Sequence, residues 1–302
     1  MSSPRVALAT NVEFGNLEAD DAPLVPALAE RGIDAVPAVW DDPDVDWNAF
    51  DLVMVRSTWN YAPRLEQYLA WANSVPRLAN PADVLTWNTD KSYLRDLEAA
   101  GLPVVPTIWL DPARNLTSRA VHTRFPASGE FVIKPTVSSG GRDTGRYKSN
   151  EADQRGLAIV HARDLLREGR HVMVQRYLSQ VDTAGETALI YIDGVFSHSV
   201  GKAAMLYGPY RAGDALYKQQ ISERDATDAE REVGDRLVAA LPALTPGAGE
   251  GPLLYTRIDL LPDTDGSPMI LELELTEPSL FLAWSDGAAG RVADAVAARV
   301  GA

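Results

Sequence analysis

The chain has 302 residues, 46% of them hydrophobic and 23% charged, enough for a large core and, by length, for two or three domains. A net charge of −14 argues against nucleic acid or an anionic membrane as a partner, so a polyphosphate ligand would need a local basic pocket or a metal ion. The absence of cysteine excludes disulfides and Cys-ligated zinc, and the scattered His122, His161, His171 and His198 do not form a metal-ligand pattern.

Arg5–Thr10 reads as a first strand, and residues 18–31 as a helix stopped by Gly32. Strands follow at 33–40 and 51–56, the second with the uninterrupted apolar centre of a strand covered on both faces. This order predicts a small open α/β sheet, whose ligands bind beyond the carboxyl ends of the strands. Arg56, Ser57, Thr58, Trp59, Asn60 and Tyr61 fall there. They form either a loop that satisfies its own backbone, with Arg56 capping a helix or pairing with a nearby acid, or a pocket for a small zwitterion. In the pocket reading, Arg56 pairs with a carboxylate, the Ser57 and Thr58 hydroxyls hold an amino group or urea, and Trp59 and Tyr61 exclude water.

A helix is expected over 63–75 and another from 87 to Gly101, containing Lys91, with a strand over 104–110. Residues 111–129 read as a loop with one short helix. Glu130–Pro135 is a strand ending in Lys134, followed by Ser138, Ser139, Gly140, Gly141 and Arg142 in a donor-rich loop running to Tyr147. Glycine-freed N–H groups and arginine suit phosphate oxygens, although the P-loop pattern is absent. A helix over 151–167 and a strand over 171–178 come next. A hairpin over 186–205 carries Lys202 near its end, a loop over 206–215 holds Arg211, and a long helix spans 223–241. A terminal helix covers 287–300.

The second hairpin carries the densest chemistry. Residues 255–261 and 269–278 alternate apolar and polar, joined by turn chemistry at 263–268. Period two puts Arg257 and Asp259 on one face and Glu272 and Glu274 on one face of the next strand. Such carboxylates repel one another unless a hard cation such as magnesium (Mg²⁺) lies between them. The alternative is a solvated polar face. No run reaches the ~20 apolar residues of a membrane span. Met1-Ser2-Ser3-Pro4 lacks the basic and apolar regions of a signal peptide, so a cytoplasmic protein is expected.

The order of these features resembles the ATP-grasp ligases: a lysine after an N-terminal α/β domain, V-I-K-P before a Gly/Ser loop, V-Q-R-Y-L-S, then R-I-D and E-L-E. The resemblance covers roughly residues 85–280. R-I-D, E-L-E and V-Q-R-Y-L-S look most like D-alanine–D-alanine ligase, the loop looks like glutathione synthetases, and the whole chain is most similar to the branch that closes O-ureido-D-serine to D-cycloserine. The resemblance implies an α/β (α+β) ATP-grasp fold. Its parts would be an N-terminal domain over 1–84, a central subdomain with the lid over 85–180 and a C-terminal subdomain with the magnesium site over 181–302. It implies ATP and two Mg²⁺ as cofactors and a small amino-acid-like substrate, and it is compatible with a homo-oligomer. Lys91 and Lys134 would bind the α- and β-phosphates, Ser138 to Gly145 would cover them, and Lys202 would reach the γ-phosphate. Gln175 and the 176–178 backbone (Arg176, Tyr177, Leu178) would hold adenine, and Asp182 or Glu186 the ribose. Asp259, Glu272 and Glu274 would bind metal, with Arg257 stabilising the reacting state. Glu274 departs from the asparagine usual in the family, and Gln175 from the acid common there. The implied activity is conversion of a carboxylate to an acyl phosphate that an amine attacks, within the same molecule or between two. A non-catalytic nucleotide-binding protein is the remaining alternative.

Overall fold

The computed structural model of the chain describes residues 3–210, 219–247, 249 and 251–302. In the first sheet, β1 (Arg5–Thr10), β2 (Asp34–Val39) and β3 (Leu52–Val55) run parallel in the order β2-β1-β3. The apolar run of β3 is buried throughout, while the edge strand β2 is only partly covered. Helix α1 (Leu24–Ala29) packs on one face. On the other, α2 (Leu65–Ser74) sets Tyr68 and Trp71 against Trp40 and Tyr61 in an aromatic core. Helices α3 (Ala82–Asn88) and α4 (Leu94–Ala99) flank a 3-10 turn that carries Lys91.

The second sheet is antiparallel and contains β4 (Thr107–Leu110), β5 (Glu130–Pro135), β6 (Gly145–Lys148) and β7 (Val172–Arg176) in the order β4-β7-β5-β6. Helices α5 (Ser118–His122) and α6 (Ala152–Arg167) contribute Val121, Ala158, Ala162 and Leu165 to its core. After α7 (Val181–Ala184), the third sheet is formed by β8 (Glu186–Ile192), β9 (Val195–Lys202), β10 (Ile221–Glu223), β11 (Tyr255–Pro262) and β12 (Pro268–Glu274), in the order β10-β9-β8-β11-β12. Helix α8 (Asp228–Leu244) packs Leu237 and Leu241 into the core with Ile258 and Leu273, and α9 (Ala288–Val300) buries Val292 and Val296 in a cluster with Leu28 and Ile190.

Edge strand β12 would expose unpaired backbone groups were it not covered from the preceding segment. Ile270 N–H donates to Pro103 O, and Val105 N–H to Ile270 O. Leu273 N–H donates to Tyr93 Oη and Leu275 N–H to Asn88 Oδ1, while Asn88 Nδ2 donates to Leu273 O. These bonds fix the strand that carries Glu272 and Glu274.

Several element boundaries differ from the sequence expectation. The first helix begins at Leu24, because Glu18 to Pro23 form turns in which Glu18 accepts from Asp20 N–H and Asp21 turns to Arg56. The single helix expected from 87 to 101 is divided, since the Asn88 amide is engaged by β12 and Asp90 caps the turn at Ser92 N–H. The strand expected over 104–110 begins at Thr107. The helix expected from 223 starts at Asp228 behind a reciprocal Thr227–Glu230 capping box, and residues 221–223 are strand instead.

Candidate active site

The second and third sheets face each other across a cavity of about 550 Å³, which part of the 57–61 loop also lines. Its chemistry starts from the β11–β12 hairpin. Arg257 lies opposite Glu274 and Asp259 opposite Glu272, and a bulge at Leu271 follows on β12. Strand alternation therefore brings one guanidinium and three carboxylates to the cavity. One oxygen from each of Asp259, Glu272 and Glu274 lies within 4.8 Å of the others. Burial drives the Glu274 carboxyl up to about 7; repulsion from Glu272 and Asp259 adds to the rise, and Arg257 offsets only part of it. This hard, anionic oxygen set fits a divalent cation such as Mg²⁺.

Four cations surround the carboxylates. Arg257 bridges Asp259, at 3.0 and 3.1 Å, and Glu274, and donates to Ser279 O at 3.2 Å. Lys202, at the end of β9, reaches Asp259 at 2.6 Å and Glu186 at 2.9 Å. Burial opposes its charge, but Asp259 and Glu186 outweigh burial and raise its pKa. Lys91 pairs with Glu272 at 3.0 Å and donates to Ser138 O at 2.7 Å. Lys134 has no ion pair or hydrogen bond through its ammonium among the described residues, and burial lowers it to about 8 although Glu272 favours the charge. A buried ammonium without a partner at the mouth of a donor-rich loop is suited to an anion.

That loop turns at Gly140 and Gly141, both with positive φ. Ser138 Oγ donates to Arg142 O, and Ser139 Oγ donates to Trp59 O, which joins the loop to the first sheet's connections. Gly145 permits a close approach, since a Cβ there would lie 2.6 Å from both Tyr147 Oη and Tyr210 N. Ser138, Ser139, Gly140, Gly141 and Arg142 all line the cavity. Opposite them, Gln175 Nε2 donates to Thr107 Oγ1, and residues 176–178 pass from β7 into the next segment along the cavity wall.

The N-terminal part of the chain, residues 6–80, matches the family model for the N-terminal domain of D-cycloserine synthetase DcsG. The cycloserine biosynthesis protein DcsG of Streptomyces lavendulae is 38% identical over 301 residues, covering 98% of each chain. The chain belongs to the D-cycloserine synthetase DcsG family. The crystal structure of D-cycloserine synthetase DcsG superposes with a TM-score of 0.87 at 37% identity, covering 98% of this chain and 99% of that one. D-alanine–D-alanine ligase from Bacillus anthracis shares the fold, with a TM-score of 0.65 at 14% identity over 98% of this chain and 97% of that one. This family member is thus related along its whole length to a synthetase, and its mixed α/β architecture is the one expected from its motifs, shared with ATP-grasp ligases.

Not every residue expected in the synthetase site reaches the cavity. Arg56 is 1% exposed and is enclosed: its Nε donates to Asp21 Oδ1 at 2.8 Å, its Nη2 to Pro278 O at 2.7 Å, and its guanidinium lies over Tyr255. Ser57 Oγ donates to Asp21, Thr58 Oγ1 to Tyr68 Oη, and Asn60 Oδ1 accepts from Trp40 Nε1. The pocket expectation is corrected for these four residues, whose polar groups bind the loop to the protein. Trp59 and Tyr61 do line the cavity. Asp182 turns away to Arg146 and Tyr177 Oη, whereas Glu186 faces the cavity. Arg211 lies outside the described residues.

Glu277 is the main group the sequence reading overlooked. It lines the cavity, is 9% exposed, and is driven up to about 8, mostly by burial and then by repulsion from Glu274. The available signal was a third acid after Glu272-x-Glu274, set among Leu275, Leu280 and Phe281. Phe281, with φ 52°, holds a left-handed conformation rare for an aromatic residue and places its ring against Arg257.

Proposed function

We propose that this chain closes O-ureido-D-serine to D-cycloserine in the cytoplasm, with ATP and two Mg²⁺. The observation that carries the reading is the convergence of Lys91, Lys134, Lys202 and Arg257 with three carboxylates on one cavity, in a chain 38% identical to a cycloserine biosynthesis protein along nearly its whole length. Residues 1–84, 85–180 and 181–302 would act as the substrate-side, lid and metal-side units.

Lys91 and Lys134 bind the α- and β-phosphates, and Lys202 the γ-phosphate. Gln175 and the backbone of residues 176–178 hold adenine, and Glu186, not Asp182, faces the ribose. Asp259, Glu272 and Glu274 hold the Mg²⁺, which when bound offsets repulsion between the substrate carboxylate and the phosphates. Arg257 orients that carboxylate as one of its oxygens attacks the γ-phosphorus and ADP leaves. The 138–145 loop keeps water from the acyl phosphate. A nitrogen of the same molecule then attacks the acyl carbon, and phosphate leaves as the C–N bond forms. Hydrolysis of the carbamoyl group gives the ring product. Tethering supplies a high effective concentration, so no second amine is needed.

The test is ADP release with O-ureido-D-serine as the only amino acid, with the product followed by mass spectrometry. One D-cycloserine per ADP is expected. ADP release that begins only when a second amino acid is added would instead identify a ligase joining two molecules.

A further inference from the structure

A buried carboxylate is costly unless it meets a cation or several donors. Among the described residues, Glu277 makes no ion pair or hydrogen bond through its carboxylate, although it lines the cavity and is about nine-tenths buried. The cations whose fields reach it, Lys91 and Arg257, are engaged elsewhere: Lys91 with Glu272 and Ser138 O, Arg257 with Asp259, Glu274 and Ser279 O. Glu277 also stands outside the three-carboxylate cluster that fits a metal.

Its backbone is held from several sides. Glu277 O accepts from Trp59 Nε1 at 3.1 Å. On either side, Thr276 O accepts from Tyr255 Oη and Pro278 O from Arg56 Nη2. A carboxyl group presented this rigidly, without an internal partner, is preorganised to ionise against a cation that arrives with the ligand. The cavity itself restricts what that cation can be. Arg257, which lines the same cavity, takes the substrate carboxylate in the reading above, so a molecule with a carboxylate and an ammonium on one carbon would span the two.

We propose that Glu277 anchors the α-ammonium group of the substrate and makes the enzyme select an amino acid over the corresponding acid without the amine. This rests on the ligase reading above and adds the group by which the substrate is chosen. Trp59, through its bonds to Glu277 O and from Ser139 Oγ, places the anchor beside the loop that covers the cavity.

The experiment is calorimetric binding of O-ureido-D-serine and of 3-(ureidooxy)propionate, which lacks only the amine, to protein loaded with Mg²⁺ and a non-hydrolysable ATP analogue. Wild type is expected to prefer the amino acid by on the order of 10- to 100-fold. Glu277→Gln should bring the ratio close to one without weakening the desamino ligand, and Glu277→Asp should keep part of the preference. Affinity for the ATP analogue, unchanged in each variant, reports intact folding. A preference retained in Glu277→Gln, while wild type still releases ADP with O-ureido-D-serine, overturns this proposal alone. A fall in kcat with KM and the binding ratio unchanged also overturns it, since Glu277 would then be moving a proton rather than holding the ligand. If wild type binds neither compound and releases no ADP, the substrate assignment fails with it.

Discussion

Arg56 and Arg257 are two deeply buried guanidiniums that grip consecutive carbonyls, Pro278 O and Ser279 O. Each has a carboxylate partner and an aromatic ring, Asp21 and Tyr255 for the first, Asp259 and Phe281 for the second. Only Arg257 faces the cavity. Burial and pairing therefore do not separate a structural arginine from a reacting one. The partners do. Asp21 is shared between Arg56 and Ser57 in a closed set, whereas Asp259 belongs to a trio of carboxylates in which burial, with repulsion from Glu272 and Asp259 added, holds Glu274 near 7.

The contrast predicts opposite failures. Arg257→Met should lower kcat by about 10²–10³-fold, as loss of a donor to a developing charge does, while the protein remains folded. Arg56→Met should cost about 3–5 kcal/mol of stability, because Asp21 is left buried without its cation, and should lower kcat per folded molecule far less than Arg257→Met, any loss coming through the loosened Pro278 carbonyl beside Glu277. Denaturant unfolding and steady-state kinetics on both variants separate the two roles. A kcat defect in folded Arg56→Met as large as that of Arg257→Met would return this residue to the reacting site.

A smaller effect concerns Lys134, the one among the four cations around the carboxylates that has no ion pair or side-chain hydrogen bond among the described residues. Burial lowers it from 10.5 to about 8, so the unfolded chain holds more protons between those values and the ligand-free protein gains stability as pH rises through them. Bound phosphate should restore the charge. ATP binding at about pH 9 should therefore take up a fraction of a proton, and Lys134→Met should abolish that uptake. Calorimetry in buffers of different ionisation enthalpy measures it, and equal proton uptake in both proteins would remove Lys134 from the phosphate site.

The same contrast explains what could be read from the sequence. The β11–β12 hairpin was legible because strand geometry dictates side-chain direction, so Arg257, Asp259, Glu272 and Glu274 could be placed on one surface from spacing alone. The loop after β3 has no such period. Its location at the strand ends was readable, but Arg56, Ser57 and Thr58 turn inward to Asp21 and Tyr68, partners fixed only by tertiary packing. The interruption between α3 and α4 was hidden for a related reason. The Asn88 amide that ends α3 is engaged by β12, 185 residues away in sequence. Glu277 was missed because it lies just beyond the alternating strand, where the period that marks Glu272 and Glu274 stops.

The most direct test of the central claim, that the carboxylate trio and the surrounding cations form one ligase centre, is ADP formation by Glu272→Gln at saturating ATP, Mg²⁺ and O-ureido-D-serine. This substitution removes one carboxylate charge and the partner of Lys91 while preserving side-chain size. ATP should still bind, and ADP formation should fall by at least about 10²-fold. Near-wild-type ADP formation in a folded Glu272→Gln protein would contradict the account.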